Sequence, residues 1–259
     1  MLNFAQTCEA IAGKSGRLDK IRLLAQYFRS LDDANLEAAA RYFTGNPFAA
    51  RNQKKLALGS RTVVAAAQNV WGFSDPDLAV SYREHGDLGA ALCGFVRSSA
   101  DLGLFHETLT PSRLTLLFDE IASVCGKAAS RKRQFLCERI FGACAHGLEA
   151  KYIIKIMTGD LRIGLREGLV ADALAAAFEG EAADVRRAVM SSGDIGTVAV
   201  AARNHTLAPV AIAYGAPIGF MLASPMEFGS AYRELQAASW ITEDKFDGIR
   251  AQVHKVGQT

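Results

Sequence analysis

The chain has 259 residues, half of them hydrophobic and 22% charged, with a formal net charge of +2. That is an ordinary globular composition with room for a sizeable core, and it argues against a disordered or fibrous chain. The charge is uneven: residues 127–166 hold nine Lys and Arg against three Asp and Glu, leaving a net −4 for the rest. A basic block in a near-neutral chain fits either a surface facing an anion such as nucleic acid or a solvated helix face.

The first two hundred residues read as successive helices. Leu18, Ile21, Leu24, Phe28 and Leu31 recur at helical spacing and predict an amphipathic helix with those residues inward. Asn46-Pro47 marks a break, and a second helical stretch centres on residues 56–70. Ser74-Asp75-Pro76-Asp77 has the form of a helix start, with a capping serine and proline in the first turn. Thr110-Pro111-Ser112 starts another helix, carrying Leu114, Leu117, Phe118 and Ile121 toward a stop at Gly126. Residues 130–146 read as a basic helix and residues 150–157 as one that is apolar on one face. Leu169, Ala173, Leu174, Ala177 and Phe178 make one further stripe.

The pattern changes near residue 205. Pro209, Gly215, Pro217, Gly219 and Pro225 lie too close together for helix to continue. Residues 209–213 and 218–222 fit short strands, residues 227–238 a short helix, and residues 240–245 an extended run. Ile249, Ala251 and Val253 alternate with Arg250, Gln252 and His254, as in a half-buried strand. The expected organisation is a helical domain over residues 1–205 and an α+β segment over residues 206–259, a mainly α chain in all.

Five cysteines (Cys8, Cys93, Cys125, Cys137 and Cys144) make an odd, widely spaced set without C-x-x-C, so neither a disulfide framework nor a zinc site is indicated. Cys137 and Cys144, seven apart, fall on one helix face and fit buried thiols; Cys144 with His146 is a far weaker metal pair. The first ten residues lack a basic region followed by an apolar run, and no stretch has the length and apolarity of a membrane span. A cytoplasmic location is the expectation.

Two stretches carry chemistry. Residues 157–168, M-T-G-D-L-R-I-G-L-R-E-G, combine glycines, two arginines and a helix start. Glycines let backbone approach a phosphate closely, and helix N-terminal amides with arginines bind it. A glycine-stopped helix whose arginines pair with Asp160 or Glu167 is the plainer reading. Residues 242–250 read T-E-D-K-F-D-G-I-R. A lysine can attack phosphorus once deprotonated, an arginine holds phosphate or ribose oxygens, and an Asp-Gly turn leaves room for a ligand. A surface hairpin explains the same spacing.

K-F-D-G-I-R resembles the K-x-D-G-x-R nucleotidyl-transfer motif of ATP-dependent DNA ligases, RNA ligases and mRNA capping enzymes. By that resemblance Lys245 is the lysine that forms a covalent adenylate. Glu243 reads the adenine amine, Arg250 contacts the nucleotide, and Asp247 and Gly248 complete the motif. Phe246 stands where many members carry tyrosine. Residues 217–223, P-I-G-F-M-L-A, resemble the opening of the ligase adenylation domain. Residues 149–167, E-A-K-Y-I-I-K-I-M-T-G-D-L-R-I-G-L-R-E, are similar to the signature of the helical DNA-binding domain of larger ATP-dependent DNA ligases. Capping enzymes and small RNA ligases lack that domain.

The resemblance implies an N-terminal helical DNA-binding domain and the start of an adenylation domain, acting as a monomer on nicked duplex DNA with ATP and magnesium. Gly159, Arg162, Gly164 and Arg166 would face DNA phosphates, and Lys151, Lys155 and Arg131-Lys132-Arg133 would add attraction. The metal ligands are not identified. Later motifs of the family are absent from these 259 residues, so the expectation is that the chain alone does not seal nicks. A non-catalytic DNA-binding module, and less favourably an RNA ligase or capping-type enzyme, are the alternatives.

Overall fold

A computed structural model describes residues 1–52, 54–96 and 108–207, with positions 214–216, 218, 229, 243–244, 247–249, 251–255 and 257 beyond them. Twelve α-helices are found among the described residues. They are α1 (Leu2–Ala12), α2 (Arg17–Arg29), α3 (Asp33–Phe43), α4 (Ser60–Trp71), α5 (Asp75–His85) and α6 (Leu88–Cys93), then α7 (Pro111–Ser123), α8 (Ala129–Gly142), α9 (Gly147–Thr158), α10 (Glu167–Ala177), α11 (Ala182–Ser192) and α12 (Ile195–Arg203), with a 3₁₀ turn at Ala50–Asn52. The predominantly helical reading holds.

The helix starts follow local chemistry. Ser74 accepts the Asp77 amide while Asp77 accepts the Ser74 amide, a reciprocal cap that opens α5 with Pro76 in its first turn. Thr110 accepts the Arg113 amide and opens α7 ahead of Pro111. Two boundaries shift from expectation. α7 ends at Ser123, with Val124 already extended, rather than running to Gly126, and α8 stops at Gly142 instead of His146. His146 then starts α9, where the Glu149 carboxylate accepts the amides of Ala145 and His146.

α9 is the central helix. Tyr152, Ile153, Ile154 and Ile156 are all buried, as are Glu149 and Lys155. A helix buried on nearly every side is covered by neighbours rather than facing one core with one stripe, which corrects the one-faced expectation. α6 and α1 pack on it. The α6–α9 approach depends on glycines: a Cβ at Gly147 would lie 2.2 Å from the Cys93 carbonyl oxygen, and one at Gly89 2.5 Å from that of Lys151. α10 packs on α2 and α11, α12 on α3, and α4 on α8. Phe4, Tyr27, Phe28, Tyr42, Phe43 and Phe118 form a contiguous aromatic cluster, largely edge-to-face.

The predicted stripe of α2 holds at Leu24 and Phe28, with Ile21 and Leu31 packed against the core, and fails at its first position. Leu18 is 80% exposed, whereas Lys20, Leu24 and Phe28 point inward at four-residue spacing. At the other end of the chain no strand is found among the described residues. Ile249 and Val253, the inward positions of the expected half-buried strand, are 100% and 93% exposed. A strand buries a face only when paired in a sheet, and no described residue supplies a partner. The expected strands at 209–213 and, apart from Ile218, at 218–222 lie outside the described residues. So does the expected short helix at 227–238, apart from Gly229, and the extended run at 240–245, apart from Glu243 and Asp244.

Candidate nucleic-acid interface

Residues 159–166 join α9 to α10. Gly159 ends α9 in the left-handed conformation (φ 77°), which lets its amide reach back to the helix's last carbonyls. Apolar and polar side chains then alternate. Leu161 and Ile163 are buried and Leu165 half-buried, while Gly159, Asp160, Arg162, Gly164 and Arg166 are exposed. Apolar anchors therefore fix the loop from within, and its bare glycines and two arginines face outward. Glu167 and Gly168 begin α10, and their amides have no acceptor within the helix, as at any helix start. All four residues expected to face phosphate lie on this one exposed loop.

Its polar contacts are specific. Arg162 has φ 50°, and its amide donates to Asp160 at 3.1 Å, which closes the turn. The Arg162 guanidinium donates from Nε to Asp160 at 2.8 Å and from Nη1 to the Gly86 carbonyl at 3.0 Å. Asp160 is held below the usual carboxylate range by this arginine. The plainer reading of Arg162, pairing with Asp160, thus holds in this state, although its side chain remains 56% exposed. Arg166 has no ion-pair partner among the described residues.

Lys20 reaches the loop from α2, its Nζ donating to the carbonyls of Ile163 at 3.0 Å and Gly164 at 3.2 Å. A neighbouring loop closes in on the other side. The Cβ absent from Gly45 (φ 80°) would sit 3.0 Å from the Gly159 carbonyl oxygen. That second loop carries Arg51, which lies 3.6 Å from Asp194. The Asp194 side chain is fully buried and accepts Arg41 Nε at 2.8 Å, Arg41 Nη2 at 2.7 Å and the Gly196 amide at 3.0 Å, so it caps α12 and ties it to α3. Burial pushes its carboxyl upward, but the Arg41 hydrogen bonds and charge prevail and hold it below the ordinary value. A cleft of about 330 Å³ lies between these elements, lined by Arg41, Asn46, Glu167, Gly193 and Asp194 together with Ile218 and Gln252.

Other expected cations are engaged elsewhere. Lys155 is buried against Asp87 at 3.1 Å, and Lys151 pairs with Glu9. Both hold the fold together rather than face a ligand. Arg131 and Lys132 are exposed on α8, whereas Arg133 donates to the Val124 carbonyl. Lys245 and Arg250 lie outside the described residues. Glu243, Asp247 and Gly248 are exposed, and among the described residues beyond its chain neighbours nothing lies within 4 Å of a Cβ placed on Gly248. No group of three or more His, Cys, Asp or Glu able to hold a metal gathers among the described residues. Nor is any helix there long and apolar enough to cross a membrane. Sequence reasoning missed Lys20, Arg41 and Asp194. Lys20 alone had a local signal, its place in step with Leu24 and Phe28.

The fold and loop together define a multi-helix domain that presents a glycine-rich, arginine-bearing loop at a helix start. Residues 1–175 match the family described as DNA ligase N terminus. The chain belongs to that family, the N-terminal region of ATP-dependent DNA ligases. It is 39% identical over 251 residues to a protein named probable DNA ligase from Koribacter versatilis, covering 96% of this chain and 42% of that relative. To the DNA ligase of Archaeoglobus fulgidus it is 32% identical over 256 residues, 97% of this chain and 46% of the relative. The DNA ligase of Methanothermobacter thermautotrophicus is 32% identical over 261 residues, with coverages of 99% and 46%. The chain spans less than half the length of these relatives.

Proposed function

We propose that this chain grips nicked duplex DNA through residues 159–166 and carries the lysine that becomes adenylated for phosphodiester sealing. In this reading residues 1–205 are the DNA-binding domain and residues 206–259 begin the adenylation domain. The observation that carries the DNA half is the loop itself. Leu161 and Ile163 anchor it while Gly159, Arg162, Gly164 and Arg166 all stay exposed, immediately before the amides that open α10. Phosphate oxygens are met by arginine donors and by backbone that glycine leaves uncovered, which positions a duplex without reading bases. Membership of the ligase family supports the same reading.

In the chemical half ATP is a substrate. Lys245 Nζ attacks the α-phosphorus, an N–P bond forms, pyrophosphate leaves, and the amine gives up a proton. AMP then passes to the 5′-phosphate at the nick and frees the lysine. The 3′-hydroxyl displaces AMP as the phosphodiester forms. Glu243 would accept the adenine amine, and Arg250 with Asp247 and Gly248 would hold the nucleotide. Among the described residues no group of three or more His, Cys, Asp or Glu gathers to hold magnesium.

Fluorescence anisotropy on a labelled nicked duplex across a salt series tests the DNA half. Wild type is expected to bind with a steep inverse salt dependence. Arg166→Ala, losing one phosphate contact, should flatten the log–log slope by about one unit and weaken binding roughly tenfold near 0.1 M salt. Wild-type slope and affinity in both Arg166→Ala and Arg162→Ala would refute the placement.

A further inference from the structure

Five charged side chains are buried among the described residues: Lys20, Glu149, Lys155, Asp172 and Asp194. Four have an ionic partner. Glu149 faces the Met1 α-amine at 3.5 Å, Lys155 faces Asp87, Asp172 lies between Arg17 and Arg186, and Asp194 is bound by Arg41. Lys20 is the exception. It is 9% exposed and has no carboxylate partner among the described residues. Its amine donates only to the carbonyls of Ile163 and Gly164. A buried ammonium without a counter-charge costs stability, so the fold would gain from an apolar residue in step with Leu24 and Phe28.

The position of that charge is telling. A Cβ built on Gly164 would lie 2.6 Å from Lys20 Nζ, so the ammonium lies against the backbone of an exposed glycine. Two of its three N–H donors turn neighbouring carbonyls inward. Those carbonyl oxygens would otherwise repel an approaching phosphate. Their inward turn presents the loop's outer surface as glycine Cα, amide and arginine.

We propose that Lys20 is a positioning residue for the phosphate-facing loop, and that the counter-charge missing from its site is a duplex phosphate seated over Gly164. This rests on the reading that residues 159–166 bind DNA. The residue holds the loop through Ile163 and Gly164 and lends its charge to the surface above, without being a surface contact itself. Its stability cost in the free protein is recovered when the duplex binds.

The test compares Lys20→Met and Lys20→Arg with wild type and Arg166→Ala. Anisotropy on a labelled nicked duplex is paired with thermal unfolding in the presence and absence of that duplex. Lys20→Met is expected to bind at least tenfold more weakly, with a shallower salt slope and a smaller duplex-induced rise in Tm, while unfolding without DNA at or above the wild-type temperature. Lys20→Arg should recover most of the affinity. A residue that merely supports the fold would lower the DNA-free Tm and leave the duplex-induced shift unchanged; that result overturns the proposal. So does wild-type affinity and slope in Lys20→Met when Arg166→Ala is impaired. Failure of wild type to bind the duplex at low salt would instead overturn the DNA-binding reading of the loop, and this inference with it.

Discussion

Replacing Asp194 by alanine removes a carboxylate that no solvent reaches. The change deletes both Arg41 contacts, at 2.8 and 2.7 Å, and the acceptor for the Gly196 amide that begins α12. Removing one partner of a buried ion pair costs about 3–5 kcal/mol, and loss of a helix cap about 1 kcal/mol. Arg41 keeps Glu37 as a second partner and is slightly exposed, so the lower end applies, a total of about 3–4 kcal/mol. For a helical domain of this size each kcal/mol shifts Tm by about 2–4 °C, so a fall of about 6–16 °C is expected. Thermal unfolding followed by circular dichroism measures that fall, and urea unfolding the free-energy cost. Asp194→Asn keeps a cap acceptor and should fall between. The carboxyl's folded pKa is depressed, so its contribution is complete above the unfolded value near pH 4 and is lost as pH falls through the folded one. The gap between wild type and Asp194→Asn should therefore close in acid. A cost below about 1 kcal/mol for Asp194→Ala at neutral pH would refute the assignment of this network as the tie between α3 and α12.

Other expectations concern different parts of the chain. Gly147→Ala places a Cβ 2.2 Å from the Cys93 carbonyl and must push α9 off α6, costing about 1–3 kcal/mol or more in denaturant unfolding, whereas Gly142→Ala, with open space around it, should cost little. An AMP adduct formed with ATP and magnesium should, by intact-mass analysis, sit on Lys245 and be lost in Lys245→Ala; an adduct that survives the substitution would remove Lys245 from its proposed role. Gel analysis of a nicked duplex should show no joined product with this chain alone.

Much of this protein was legible in its residues. Helix-period stripes, the Ser74 and Thr110 caps and the glycine stop at Gly159 are local signals, because helix formation is decided within a few residues of chain. The anchoring of the loop by Leu161 and Ile163, with Arg162 and Gly164 outward, came only with the fold. The resemblance to ligases rested on contiguous motifs, and the family match agrees with it. What the chain order could not reveal depends on residues far apart in sequence. Lys20 meets Ile163 across 143 positions, and Arg41 meets Asp194 across 153. Periodicity predicted an inward Leu18, but at that first turn of α2 the fold leaves Leu18 exposed and turns Lys20 in, while Leu24 and Phe28 stay inward as predicted. Lys151 and Lys155 read as sources of added attraction until the fold brought Glu9 and Asp87 against them. Local sequence specified which segments become helix and which loop stays bare; only the tertiary structure decided which charges are spent inside the molecule and which are left facing out, because a charge's partner is fixed by packing and not by its neighbours along the chain.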